Sequence, residues 1–198
     1  MLNNFQEFMT DAIYYLPALI IAFTIHEFAH AYTSYKLGDY LMKNDGRLTL
    51  NPIKHIDWVG LAMLFFLGFG WAKPVEIHPY LYKNPVRDSA LVAAAGPLSN
   101  FIMAIIGIIL NIVFKDTAAA MFFLYLWWIN ISIGIFNLIP VPPLDGSHIL
   151  GFFMKADTLK SYLSNQFLGY IILMLVIFTD FMSYILNPVF NFIFSIIY

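Results

Sequence analysis

Long apolar stretches with almost no charge constrain this chain more than any other feature. A helix needs about 20 mostly apolar residues to cross a bilayer. Four stretches reach that length: Ala12–Tyr35, Ala90–Phe114, Thr117–Pro140 and Ser161–Tyr198. Of the 198 residues, 61% are hydrophobic and 11% are charged, whereas a soluble domain is about 25% charged. The sequence therefore predicts an all-α polytopic membrane protein, a bundle of about four to five transmembrane helices.

Two regions of this bundle are less regular. The run Trp58–Gly70 is apolar, contains three glycines and is too short to span. It predicts a small β or re-entrant loop after the first span, with a plain packing loop as the alternative. Asp180 and Asn187-Pro188 interrupt the last stretch, so residues 161–198 are expected to form a helical hairpin or one kinked helix.

The basic residues predict an orientation. Seven of the ten Lys and Arg residues lie within residues 36–87, Lys155 and Lys160 follow the third stretch, and only Lys115 lies between the second and third. Because basic loops stay in the cytoplasm, we expect the N-terminus outside. The short loops, and an N-terminal region without basic residues, favour a bacterial or archaeal cell membrane.

A metal-binding pattern lies in the second half of the first stretch, at His26-Glu27-x-x-His30. Residues four apart share one face of a helix, so both imidazoles can bind the same ion. Glu27 borders that face, where its carboxylate can act as a general base for water. Metal-seeking side chains on an uncharged helix mark function by default. The motif predicts a catalytic zinc site within the membrane.

A third ligand is needed, because catalytic zinc usually has three protein ligands. The chain contains no cysteine, which leaves histidine and carboxylates. Asp145 follows Pro140, Pro142 and Pro143, which end the third helix on the side where His26 and His30 are expected. We therefore predict Asp145 as the third ligand; the alternative is an N-cap of a following helix.

Two asparagines are predicted to face the bundle interior. Asn100 follows Gly96-Pro97 by one helical turn, and Asn137 precedes Pro140. Each could hold a substrate backbone or stabilise an oxyanion, or could simply join two helices by hydrogen bonds. His55, His78 and His148 lack an i+4 partner, and we expect them, like Asp180, to be structural or interfacial.

These motifs together resemble the site-two protease family of intramembrane zinc metalloproteases. The resemblance covers about residues 20–150 and includes Gly96-Pro97-x-x-Asn100, Asn137-x-x-Pro140 and Leu144-Asp145-Gly146. Two further stretches are similar: Gly46–Pro52 and Gly70–Val75. The resemblance implies one Zn²⁺ held by His26, His30 and Asp145, with Glu27 as the general base. The chain resembles a minimal form without PDZ or CBS domains.

The resemblance also implies a function, the cleavage of transmembrane or membrane-associated regulatory proteins. The partners would be a membrane-embedded protein substrate and lipid, and the net charge of −2 argues against nucleic acid. We expect residues 1–198 to form one membrane-embedded domain with its catalytic core at about 12–150. The alternative is a non-proteolytic membrane zinc-binding protein or transporter. A transporter favours ionisable groups strung along a path, and here they cluster at one level.

Overall fold

The computed structural model describes residues 2–67 and 70–197, and helices dominate those ranges. The α-helices are α1 (Leu2–Lys36), α2 (Leu41–Asn44), α3 (Trp58–Leu67), α4 (Pro85–Val113), α5 (Ala119–Asn137), α6 (Asp145–Gly151), α7 (Ala156–Ser164), α8 (Gln166–Phe178) and α9 (Phe181–Ile197). Short 3₁₀ helices occupy Pro52–Lys54 and Pro79–Leu81. Within the described ranges, strand-like pairing is confined to an antiparallel bridge between Ile56 and Ala72. The all-α prediction is confirmed.

Among the described residues, three helices are long and apolar enough to cross a membrane: Ala12–Lys36 within α1, then α4 and α5. Two shorter helices, Asp157–Ser164 and Gln166–Phe178, qualify together as a fourth candidate span but are bent by 57°. The protein is therefore an integral membrane protein, with three candidate spans in this part of the chain or four with the bent pair. In the C-terminal region, α8 and α9 are separate helices, and Asp180 lies at the break between them.

The core of the bundle lies between α1 and α5. Ala18 and Ala22 of α1 are fully buried, and they pack against Leu126 and Ile129 of α5. Small side chains let membrane helices approach closely, where packing and hydrogen bonds provide most of the attraction. This contact brings the two helices together along the middle of α1.

Helix α4 completes a three-helix core and joins it to α9. A Cβ on Gly107 of α4 would lie 2.8 Å from the backbone nitrogen of Trp127, so the two helices meet where α4 has no side chain. The Trp127 ring is buried, and it makes an edge contact with Phe190 of α9 at 5.3 Å between centroids. The last helix is therefore packed on the same core.

The direction of the helices places three chain segments at one end of the bundle. His26 and His30 of α1 meet Asn100 and Val92 of α4 respectively, so these helices run antiparallel. The C-terminal end of α5 then lies beside the N-terminal half of α4, and α6 packs against α4. A Cβ on Gly146 would lie 2.6 Å from the Ile139 carbonyl oxygen. This tight turn after α5 brings the start of α6 back over the end of α1.

The loop between α1 and α4 contains a short helix and, among the described residues, one isolated β-bridge, and its re-entry into the membrane stays a prediction. The apolar run forms the ten-residue helix α3, and the chain returns in extended form through residues 70–78. The Lys73 amide donates to the His55 carbonyl at 2.9 Å beside the Ile56–Ala72 bridge. Residues 68–69 of the predicted segment lie outside the described residues.

Candidate active site

The three predicted metal ligands meet at one point. Nε2 of His26 lies 3.2 Å from Oδ2 of Asp145, and Nε2 of His30 lies 3.3 Å from the same oxygen. The two Nε2 atoms are 2.9 Å apart. Within the described ranges, this is the one group of three metal-ligating side chains whose ligand atoms all lie within 4.8 Å of one another. The two histidines lie together because they are one helical turn apart, and the turn after α5 brings Asp145 to them.

Hydrogen bonds set which nitrogen of each imidazole faces this point. Nδ1 of His26 donates to Oδ1 of Asn100 at 2.6 Å, and Nδ1 of His30 donates to the Val92 carbonyl at 2.8 Å. A neutral imidazole with its proton on Nδ1 presents a lone pair at Nε2. Both histidines therefore turn a metal-binding lone pair toward Asp145.

The donor set fits a cation. Oδ2 of Asp145 is buried and accepts no hydrogen bond within the described part of the chain. It faces two nitrogen lone pairs, so three acceptors converge without a proton among them. Such an arrangement is unfavourable by itself and favourable around a positive ion. Two imidazoles and one carboxylate are also a ligand combination that catalytic zinc takes.

Gly96 leaves room for the two histidines. A Cβ at this position would lie 2.5 Å from Cε1 of His30 and 2.6 Å from Cε1 of His26. Both distances are too short for any real side chain. The backbone of α4 therefore forms one wall of the site, and glycine is required there for a steric reason.

Glu27 lies beside the site and contacts the extended segment 70–78. The carboxylate is buried, and its Oε2 accepts a hydrogen bond from the Val75 amide at 2.9 Å. The helix spacing that separates Glu27 from the ligand face thus turns it toward a neighbouring backbone. This contact holds the carboxylate at the edge of the three-ligand group.

The same extended segment is held at both ends. Arg47 donates to the carbonyls of Lys54 and Pro74 at 2.8 and 3.2 Å, which ties the two sides of the loop together. Arg47 and Pro74 belong to the two stretches, Gly46–Pro52 and Gly70–Val75, that resemble the protease family outside the catalytic motifs. They place the backbone of residues 73–75 next to Glu27.

At the other end, a buried carboxylate anchors His78. Asp39 is fully buried and accepts hydrogen bonds from the His78 amide and Nδ1 at 3.0 and 3.1 Å. It also accepts one from the Ser34 hydroxyl at 2.9 Å, and Ser34 contacts the Tyr82 hydroxyl at 2.7 Å. Burial raises the pKa of Tyr82 to about 12, so the phenol stays neutral. His78 has the structural position expected of it.

Asn100 contacts a metal ligand and a second buried asparagine. It is fully buried, and its Nδ2 donates to Oδ1 of Asn130 at 2.8 Å and to the Ala22 carbonyl at 3.3 Å. Its oxygen accepts from His26. Both amide hydrogens are thus donated inside the bundle, and the role of Asn100 toward a substrate or an oxyanion stays a prediction.

The remaining predicted residues fall into two groups. Asn137 donates to the Ile133 carbonyl of its own helix at 3.1 Å, and its role at the site stays a prediction. His55 donates to the Thr49 carbonyl at 2.8 Å inside the loop, and His148 follows Asp145 on α6. Asp145 is the first residue of α6, and the N-cap position before it is occupied by Leu144.

Sequence reasoning missed Asn130, Val75 and the Val92 carbonyl. Asn130 is fully buried in the middle of α5. A polar residue inside an uncharged span is the available signal for it. The other two act through backbone atoms, which no side-chain pattern reveals.

Comparisons with known proteins agree with this site. The profile of peptidase family M50 matches residues 109–179. The chain is 37% identical over 188 residues to YwhC of Bacillus subtilis, whose name places it among the zinc metalloproteases. The aligned region covers 90% of this chain and 86% of YwhC. Rip2 of Mycolicibacterium smegmatis, named likewise, is 29% identical over 171 residues, covering 81% and 64%. Zinc metalloprotease MJ0392 of Methanocaldococcus jannaschii is 30% identical over 146 residues, covering 72% and 35%. No solved structure matches significantly.

The helix bundle and its His-His-Asp group define a membrane-embedded metalloprotease. The chain belongs to peptidase family M50, and its cofactor is Zn²⁺. The resemblance to the site-two proteases is thereby confirmed. The chain spans most of the Bacillus protein but less than two thirds of the other two relatives.

Proposed function

We propose that this metalloprotease cuts peptide bonds of transmembrane or membrane-associated proteins within the bilayer, in regulated intramembrane proteolysis. The supporting observation is the place of the three-ligand group. His26 and His30 lie inside the span Ala12–Lys36, and Asp145 reaches them from the end of α5. A scissile bond must come to that depth to be cut, which favours substrates that are already in the membrane.

The residues divide the chemistry among them. His26, His30 and Asp145 would hold zinc, which when bound supplies Lewis acidity that activates water and polarises a carbonyl. Glu27 takes the proton from the attacking water and later delivers it to the leaving amine. The Val75 amide keeps the Glu27 carboxylate in place during both transfers.

Residues 70–78 are suited to present the substrate. The segment is extended, pairs with the chain near Ile56 and passes directly beside Glu27. An unwound substrate strand could add to this segment through main-chain hydrogen bonds, which are independent of side-chain sequence. A helical substrate must unwind there before its peptide bond becomes accessible.

We further infer that the site faces the cytoplasm, with the N-terminus outside. The ligand end of the bundle carries the loop of residues 36–87, which contains seven of the ten basic residues. Basic loops remain on the cytoplasmic side. The substrate would therefore be cut near its cytoplasmic end.

The direct test is Glu27→Gln, assayed with purified protein and a tagged single-span substrate in liposomes. The amide cannot accept the proton but keeps the size of the side chain. Zinc content should stay at the wild-type level, and the cleavage rate should fall by about 10²–10⁴-fold, the usual contribution of a general base.

Glu76→Gln is the matched control, because Glu76 is exposed on the same extended segment. It makes the same chemical change and should leave the rate unaltered. Normal cleavage by Glu27→Gln would show that another group acts as the base. A wild-type protein that holds zinc but cleaves no membrane-embedded substrate would refute the proposed substrate class.

A further inference from the structure

A chain of buried side-chain amides crosses the bundle and ends at a metal ligand. Nδ2 of Asn130 donates to the Leu126 carbonyl at 2.7 Å, and Oδ1 of Asn130 accepts from Nδ2 of Asn100 at 2.8 Å. Oδ1 of Asn100 then accepts from Nδ1 of His26 at 2.6 Å. Both asparagines are fully buried. The chain links α5 to α1 through α4 without a solvent-exposed member.

The direction of every hydrogen bond in this chain follows from its first one. The Leu126 carbonyl can only accept, so it must face the NH₂ group of Asn130. The oxygen of Asn130 then faces Asn100 and requires the NH₂ group of that residue in turn. This leaves the oxygen of Asn100 against His26, which must carry its proton on Nδ1.

We propose that Asn130 is a positioning residue for the zinc site, acting through Asn100 to keep His26 in its metal-binding tautomer. The hydrogen bonds of the Asn130 side chain go to Asn100 and to the Leu126 carbonyl, and neither of these is a proposed metal ligand. Its oxygen fixes which way the Asn100 amide points, and that orientation determines which nitrogen of His26 has a free lone pair. The inference rests on the ligand set of the proposed function.

Loss of the Asn130 oxygen would make the amide of Asn100 ambiguous. The remaining acceptor for its NH₂ group is the Ala22 carbonyl, at the longer distance of 3.3 Å. A rotation of the Asn100 amide by half a turn would place NH₂ against Nδ1 of His26. Nδ1 would then accept and Nε2 would carry the proton, which blocks metal binding at that nitrogen.

The test compares zinc affinity, by chelator competition, in wild type, Asn130→Leu and Asn130→Asp. Leucine is similar in size but offers no acceptor, and we expect about 10- to 100-fold weaker zinc binding, as for other residues that orient metal ligands. A buried aspartic acid in its neutral form has one acceptor and one donor in the asparagine positions. Asn130→Asp should therefore retain near-wild-type affinity.

Asn111→Leu provides the matched control. Asn111 is buried on α4 and donates to the Ala120 carbonyl at 2.8 Å. It lies about three helical turns from Asn100 and is not one of the residues that link Leu126 to His26. The Asn111→Leu variant should lower the melting temperature of the zinc-free protein about as much as Asn130→Leu does, and it should leave zinc affinity unchanged. Unaltered affinity in Asn130→Leu, or an equal loss in Asn111→Leu, would overturn the inference.

The ligand set is tested separately by His26→Ala. If this variant binds zinc as tightly as wild type, the proposed ligands are wrong. If His26→Ala loses zinc while Asn130→Leu keeps it, the ligands stand and only the positioning role fails.

Discussion

Gly96→Ala provides a sharp steric test of the site. The added methyl carbon would lie 2.5 Å from Cε1 of His30 and 2.6 Å from Cε1 of His26, against 3.4 Å for an ordinary contact. The rings or α4 must therefore move by about 0.9 Å. Metal sites tolerate displacements of only about 0.2 Å. Direct displacement of two ligands should weaken zinc binding by at least about 100-fold, the upper range for indirect effects.

The effect on folding should be much smaller. Alanine is favoured over glycine in a helix by about 0.8–1.0 kcal/mol, and overpacking typically costs about 1–3 kcal/mol. The net cost is therefore about 0–2 kcal/mol, which lowers the unfolding temperature of the zinc-free variant by at most about 8 °C. Wild-type protein gains stability as zinc is added, through mass action on the folded state, and Gly96→Ala should lose this gain.

The assay measures zinc content after purification, chelator-competition affinity and thermal unfolding with and without zinc. Gly107→Ala is the control, since its Cβ would lie 2.8 Å from the Trp127 nitrogen on the same helix. It adds a comparable clash at the α4–α5 contact and should leave zinc binding intact. If Gly96→Ala binds zinc as tightly as wild type, the imidazoles do not lie against this helix and the described geometry is refuted.

Two further predictions concern the loop and the topology. Asp39→Ala removes the buried acceptor for His78, so it should destabilise the protein by about 1–3 kcal/mol and speed amide hydrogen exchange around His78. The control Asp45→Ala, at an exposed position, should have neither effect. Unchanged exchange in Asp39→Ala would show that the contact between Asp39 and His78 does not stabilise this segment. Because the chain has no cysteine, single cysteines at Lys83 and Asp116 report the orientation. An impermeant thiol reagent added outside intact cells should label Asp116→Cys and spare Lys83→Cys, and the reverse pattern would contradict the proposed topology.

The membrane spans and the relative positions of His26, Glu27 and His30 could be predicted from the sequence, because they depend on residues close together in the chain. Apolar stretches of 20 or more residues predict membrane spans, because a helix of that length crosses the hydrocarbon core and buries its apolar side chains in lipid. His26 and His30 are neighbours because four residues make about one helical turn, a relation that no distant contact alters. Glu27 is placed beside them by the same turn. These features depend on short segments, and the structure agrees with them.

Contacts between distant segments could not be read in this way. Asn100 lies 74 positions from His26, and helical periodicity does not reveal which partner a buried amide will find. Close packing of α1, α4 and α5 gives its amide three buried partners, which are His26, Asn130 and the Ala22 carbonyl. The steric need for glycine at position 96 likewise appears only in the fold, where two imidazoles pack against the backbone of α4. Asp145 reaches the histidines because α5 runs back to the end of α1 and the chain turns tightly there. The pattern of residues thus predicts which groups do the chemistry. Their convergence depends on how three helices pack, which is a property of the whole bundle rather than of any one segment.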